Sequence, residues 1–264
     1  MPILSTRELL RAAARPSRYP AAVRRRWRIH RLRGDSVECP CCGGRFGTFM
    51  TERGRANAVC PRCGAQERHR ALWLYMRDRT PLFERPLRLL HFAPELIFRR
   101  RFESLPQLDY VTADLDSPEA MLHFDITSIP FEDDSFDAIL CSHVLEHVHD
   151  DRAAMRELAR VLRPDGFAIV LVPLDLSREQ TYEDAAVISP EDRAREFWQH
   201  DHVRLYGRDF AARLEQAGFG VRVDPYVREL PEPVRRRHGL LDVEDIYVGT
   251  KAAARAARQP ESAG

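Results

Sequence analysis

The stretch FEDDSFDAILCSHVLEHVHDD, residues 131–151, decides how the rest of the chain reads. Its apolar run, Ala138 to Cys141, has the length of a buried strand. The run stops abruptly at Ser142, His143, Glu146, His147 and His149. A buried strand that discharges into histidines and acids suits the floor of an active site, because open α/β sheets bind ligands at the carboxyl ends of their strands.

Outward from this stretch, strands alternate with helices from residue 87 on. LRLLHF (87–92), DYVTA (109–113), MLHFDI (121–126), FDAILC (136–141), FAIVLV (167–172), FGVRVDPY (219–226) and DIYVGT (245–250) read as strands. Pro94 suits the first turn of a helix through Leu96, Arg99 and Phe102. Asp150 or Asp151 can cap a helix whose Met155, Leu158, Ala159 and Leu162 share a face, ending at the breakers of RPDG (163–166). GRDFAARLEQAG (207–218) is a helix closed by Gly218. The alternation predicts an α/β fold, a mostly parallel sheet with helices on both faces. On its amino-terminal side, ERHRALWLYMRDRT (67–80) reads as a helix burying Leu72, Tyr75 and Met76. The expected organisation is a basic leader (1–35), a cysteine module (36–66), the α/β domain (67–250) and a frayed tail (251–264).

The chain has 264 residues, 44% of them hydrophobic and 31% charged, with a net charge of +1. That balance excludes a strong overall preference for an anionic or cationic partner. The leader differs: between residues 7 and 33, Arg7, Arg11, Arg15, Arg18, Arg24, Arg25, Arg26, Arg28, Arg31 and Arg33 face one acid, Glu8. Such a segment suits RNA phosphates or an anionic membrane surface, or is simply solvated. Tyr19 and Trp27 are its only aromatics, too few for base stacking. No run has the length of a transmembrane helix and no signal peptide is evident, so the expectation is a cytoplasmic protein with reduced thiols.

CPCCGG (39–44) and CPRCGA (60–65) place Cys39, Cys42, Cys60 and Cys63 in two C-x-x-C turns. Two such turns can present four thiolates to one tetrahedral zinc, and the glycine after each pair permits the tight backbone. Four cysteine ligands fill the shell, which makes the zinc structural. Cys41 and His69 are alternative ligands. Reduced thiols without metal are the other reading.

Asp114 follows DYVTA at the place where an acid grips ribose hydroxyls in nucleotide-binding α/β folds. The loop HFAPE (91–95) has no glycine, which argues against a diphosphate cradle and for a cofactor without phosphates. His143 and His147 stand four apart, on one face if a helix begins there, but their neighbours complete no metal set, so the reading there is structural or exposed. His200, His202 and Tyr206, in WQHDHVRLYG (198–207), lie on a loop of the kind that carries substrate contacts.

Residues 121–173, with IPFEDDSFD, VLEHV and RELARVLRPDG, closely resemble the core of class I S-adenosylmethionine-dependent methyltransferases, specifically the type 11 domain. The resemblance extends from about residue 87 to 226, and LEQAGF looks like the family's penultimate helix and strand. It implies a Rossmann-like sheet and S-adenosylmethionine as cofactor. By that resemblance Asp114 matches the ribose-binding acid, Asp125 and Ile126 the adenine contacts, and Ser142 and His143 the strand end beside the sulfonium. His91, Ala93 and Glu95 occupy the places of the glycine-rich motif, where Glu95 can pair with the cofactor's ammonium group. A cysteine knuckle before such a domain also resembles zinc-bearing members that act on ribosomal RNA bases or on sugars.

The resulting expectation is a methyltransferase with a zinc-stabilised amino-terminal module, acting on a small-molecule, sugar or lipid acceptor. His143 is the first candidate for a base and His202 the second. RNA base methylation is the runner-up. A non-catalytic binding module that has lost cofactor affinity through HFAPE is the alternative from another class.

Overall fold

The computed structural model describes residues 21–242 and 245–251. The leader's Arg7, Arg11, Arg15 and Arg18 and the tail from residue 252 on lie outside the described residues. The chain forms two compact units: residues 21–83, 95–101 and 225–245, and residues 84–94, 102–224 and 246–251.

The larger unit is built on β5 (Leu87–Phe92), β6 (Leu108–Asp114), β7 (Leu122–His123), β8 (Phe136–Ser142), β9 (Leu162–Leu171), β10 (Phe219–Asp224) and β11 (Ile246–Lys251). They form one sheet in the order β10-β11-β9-β8-β5-β6-β7. The strands from β9 to β7 are parallel; β11 is antiparallel to both β9 and β10. This is the expected Rossmann-like α/β architecture. From β5 the chain builds outward through β6 and β7, then crosses back to β8 on the other side, so the strand order reverses between β5 and β8. The central strands LRLLHF and FDAILCS are buried almost throughout, as strands covered on both faces must be.

Helix Asp151–Val161 packs Ala154, Met155, Leu158 and Ala159 into the core. Of the two candidate caps, Asp150 holds the position: its Oδ1 accepts from the Ala153 N–H at 2.8 Å, an interaction worth about 1 kcal/mol. Asp151 is buried instead and accepts from the Tyr206 hydroxyl at 2.8 Å.

Three local expectations are corrected. The helix ends at Val161, before RPDG, because Leu162 already turns extended and pairs with Phe136; Arg163 to Asp165 then turn outward at an irregularity within β9 before Phe167 pairs with Ala138. MLHFDI yields only the two residues of β7, because the Asp125 carboxylate accepts from both the N–H and the hydroxyl of Thr127 at 2.8 Å and turns the backbone out of the sheet. After Ser142 there is no helix carrying His143 and His147 but a single 3-10 turn, Leu145–His147.

In the smaller unit, β1 (Arg33–Cys39) pairs with β2 (Gly44–Phe46), and β3 (Met50–Glu52) with β4 (Arg55–Val59), both antiparallel. Helix Glu67–Arg79 follows, burying Leu72, Tyr75 and Met76 as expected. Its Arg70 is fully buried. A guanidinium has five N–H donors, and here five backbone carbonyls receive them: Asn57, Ala58, Ala65, His238 and Gly239, at 2.6–2.9 Å. The ring of Phe49 lies 4.4 Å from the same guanidinium. One side chain thereby joins β4, the second cysteine turn and helix Glu232–His238. Gly239 closes that helix at φ +57°, where a Cβ would press within about 3.1 Å of Phe49 and Arg70.

Candidate functional site

The cysteine cluster belongs to the smaller unit. Each C-x-x-C turn closes on itself: the Gly43 N–H donates to the Cys39 carbonyl at 2.8 Å, and the Gly64 N–H to the Cys60 carbonyl at 2.9 Å. Both glycines have positive φ, +66° and +81°. The sulfurs of Cys39 and Cys63 are 3.6 Å apart, those of Cys42 and Cys60 3.7 Å. Four sulfurs held about 2.3 Å from one zinc would stand about 3.8 Å from one another. The set therefore has the size of a tetrahedral thiolate shell. Cys41 lies outside it, its thiol on the His69 carbonyl at 3.5 Å, and the His69 Nδ1 instead accepts from the Gln66 N–H at the start of its helix.

Of the leader, helix Ala21–Arg31 is described. Arg25 donates to the Arg62 carbonyl at 2.6 Å beside the second cysteine turn, and Arg31 lies over the Trp27 ring.

The larger unit has a cavity of about 640 Å³ at the carboxyl ends of β5, β6 and β8, the reversal point of the sheet. That is a usual size for a small-ligand site in the place where this architecture binds ligands. Phe92, Ala93, Asp114, Asp125, Ile126, Thr127, His143 and His147 are among its walls. Ala93 and His143, the residues just past β5 and β8, both hold positive φ, +45° and +56°. Side-chain-bearing residues rarely adopt this conformation, and it clusters at binding sites. Ala93 thus takes, without glycine, a backbone turn that glycine usually supplies. Its N–H donates to the Ala113 carbonyl at 2.9 Å, tying the loop to β6.

Asp114 accepts from the N–H groups of Asp116 and Ser117 at 3.0 and 2.8 Å through one oxygen, Oδ1. A carboxylate has about four acceptor sites, so capacity for a diol remains. Asp125 is exposed with its Oδ1 engaged by Thr127, and Ile126 beside it is buried. Asp114, Asp125, Ile126, Ala93 and His143 are thus brought to one cavity. His91, Glu95, Ser142 and His202 are not among its lining residues. The His91 imidazole is fully buried, 2.8 Å from the Tyr110 hydroxyl. Ser142 is buried at the end of β8.

His202 belongs to a group that sequence reading does not assemble. Glu146, His147 and His202 place one ligand-type atom each within 4.8 Å of the others. The connection after β9 returns across the 3-10 turn, and buried Arg204 fastens it there: its guanidinium donates to the carbonyls of Leu145, Val148 and His149. The Val203 N–H adds a bond to the Glu146 carbonyl at 2.9 Å. Burial pushes His202 below the ordinary histidine value, against the opposing pull of its bond to the Phe197 carbonyl, which favours a neutral imidazole at pH 7. Sequence reasoning places Glu146 in the strand-end cluster but misses its meeting with His202, and misses Arg204 altogether. The one available signal was a glutamate set among apolar residues in VLEHV.

Residues 101–170 match the family model described as a methyltransferase domain. A 39-residue stretch is 56% identical to the uncharacterized methyltransferase YcgJ of Bacillus subtilis, covering 15% of each chain. Another match, 52% identical over 46 residues, is to the demethylmenaquinone methyltransferase of Mycolicibacterium paratuberculosis, covering 17% of this chain and 20% of that one. The chain thus spans only about a fifth of the length of these curated relatives, or less. Among solved structures, the 1,6-didemethyltoxoflavin-N1-methyltransferase of Burkholderia thailandensis, with bound 1,6-didemethyltoxoflavin and S-adenosylhomocysteine, aligns with a TM-score of 0.45 and 15% identity over 69% of this chain and 76% of that one. No helix among the described residues is long and apolar enough to cross a membrane. The match to the methyltransferase domain model, residues 101–170, lies almost wholly in the larger unit and ends within β9, beside the strands that frame the cavity.

Proposed function

We propose that this chain is an S-adenosylmethionine-dependent methyltransferase acting on a small-molecule or lipid-type acceptor. The observation that carries the reading is the convergence of Ala93, Asp114, Asp125, Ile126 and His143 on one cavity at the sheet reversal. Asp114 would hold the ribose hydroxyls, and Asp125 with Ile126 the adenine. The cavity fits this cofactor: it offers a diol-binding acid and needs no phosphate cradle. The cofactor supplies an already activated methyl group, so the protein's part is to orient the acceptor and exclude water. His143, on the cavity wall with its Nδ1 3.3 Å from Glu146 Oε1, would be the group to take a proton from the acceptor. The short similarity to demethylmenaquinone methyltransferases supports the acceptor class.

The cysteine cluster is proposed to hold one structural zinc, on the strength of its sulfur spacing. Its four thiolates would leave no open position.

Calorimetric titration with S-adenosylhomocysteine tests the cofactor site. Micromolar binding by the wild type, weakened at least tenfold in Asp114→Ala, is the expected result. No binding by the folded wild type would refute the cofactor reading and restore the non-catalytic alternative.

A further inference from the structure

We infer that Glu146, His147 and His202 form a binding site for a divalent metal ion, distinct from the cysteine cluster, at the edge of the cavity. Three observations carry it. The ligand-type atoms of these side chains lie within 4.8 Å of one another. Donors about 2.1 Å from a shared ion stand roughly 3–4 Å apart, so a small side-chain adjustment closes the set. Second, Glu146 is 1% exposed, yet among the described residues neither carboxylate oxygen has a hydrogen-bond partner. Among the described residues, its neighbour for an ion pair is the His143 Nδ1, 3.3 Å from Oε1 and charged only when protonated. Burying a carboxylate without partners is costly, and buried charges are characteristically paired or bound to metal. Third, both imidazoles are oriented as metal-ligating histidines are. The His202 Nδ1 is 2.8 Å from the Phe197 carbonyl, which fixes the proton there and leaves Nε2 as the lone-pair nitrogen. The His147 Nδ1 is 3.3 Å from Asp201 Oδ2, the carboxylate–histidine pairing that supports a ligand from behind. The two rings stand 4.7 Å apart, nearly perpendicular.

Two imidazoles and one carboxylate suit a first-row divalent ion and leave coordination positions open. His147 lines the cavity. The ion would therefore take an oxygen donor there, so the acceptor class this site selects carries a hydroxyl, phenol or enol oxygen. An ion at that position lowers the oxygen's pKa. Only this last step rests on the methyltransferase reading.

The test is titration of zinc-loaded protein with Mn(II), followed by the loss of the free-ion EPR signal. Zinc is limited to one equivalent, which the four thiolates take in preference to two imidazoles and a carboxylate, so that Mn(II) reports the second site, since thiolates do not favour it. The expected result is about one Mn(II) bound by the wild type, weakened at least tenfold in Glu146→Gln and in His202→Ala, and unchanged in His200→Ala, whose imidazole is exposed and outside the set. Absence of binding by the wild type, or equal binding by all four proteins, overturns the site. S-adenosylhomocysteine titration of the same samples separates the two readings. Cofactor binding without Mn(II) binding sinks the metal site and leaves the methyltransferase reading standing; Mn(II) binding without cofactor binding does the reverse. Catechol serves as the oxygen-donor probe. Enhanced relaxation of its protons by the Mn(II)-loaded wild type and not by Glu146→Gln supports the acceptor class, and no enhancement in either overturns that step.

Discussion

The cysteine cluster and the Glu146–His147–His202 cluster are assembled by opposite means. The first is local. Two turns of nearly the same sequence each close on their own hydrogen bonds, each with a glycine at positive φ, and the four thiols meet at tetrahedral spacing. The second is a product of tertiary structure. Two of its members sit on one 3-10 turn, and the third arrives on the long connection after β9, fastened by Arg204. The first set offers four thiols, enough to fill a tetrahedral shell. The second has three donor side chains and borders a cavity. Closed sets stabilise folds; open sets leave room for chemistry.

The comparison breaks most visibly if the cysteine set proves dispensable. Cys60→Ser is expected to abolish zinc binding and unfold the smaller unit, because structural zinc sites contribute on the order of 10 kcal/mol to small modules. Metal analysis with far-ultraviolet circular dichroism checks both. A zinc-free protein with an unchanged unfolding midpoint would make the thiols incidental. Glu146→Gln should leave the zinc content at its wild-type level.

Two buried arginines sharpen the contrast. Arg70 and Arg204 each satisfy several backbone carbonyls, in different units. Truncating either to Ala leaves those carbonyls unpaired and should cost about 3 kcal/mol or more. Only Arg204→Ala should also remove Mn(II) binding, since it frees the segment carrying His202. Loss of Mn(II) binding in Arg70→Ala, at a temperature where that variant is folded, would mean the ion is bound elsewhere.

The difference in assembly also explains what the sequence could reveal. The alternation of strands and helices, the two cysteine turns and the strand-end positions of Asp114 and His143 are written in contiguous residues, and periodicity and turn chemistry expose them. Which strands neighbour which, and that His202 meets Glu146, depend on crossovers that no local pattern encodes. MLHFDI shrank to a two-residue strand because one side chain, Asp125, captured the backbone. The positive φ of Ala93 was hidden for a related reason: the residue type most associated with it is absent.

His143 tests the cavity between these extremes. His143→Ala is expected to lower kcat about a hundredfold or more while changing S-adenosylhomocysteine affinity less than threefold, the split of a group that moves a proton. An unchanged kcat would leave His143 as wall rather than base.

The smallest effects come from two glutamates that differ in what surrounds them. Glu157 is held by Arg160 through paired bonds of 2.7 and 2.8 Å and accepts from the Ile129 N–H at 2.8 Å. The Arg160 bond, reinforced by Ile129 and opposed by burial, lowers its pKa from 4.5. A carboxylate depressed on folding stabilises the protein above its unfolded pKa, and that contribution is lost as pH falls through the folded one. Glu157→Gln should therefore lower stability by up to about 1 kcal/mol at pH 7, the pair being partly exposed. The deficit should shrink below about pH 4. Glu146 is the opposite case, buried with no hydrogen bond to either oxygen among the described residues. In protein holding zinc but no second ion, Glu146→Gln should leave stability unchanged or raise it by about 1 kcal/mol, because it removes a buried carboxylate charge that no hydrogen bond among the described residues offsets. Added Mn(II) should raise the wild-type melting temperature and leave that of Glu146→Gln where it was. Equal losses at pH 7 in the two variants would mean that Glu146, like Glu157, serves the fold, and the contrast between a closed structural set and an open reactive one would fail.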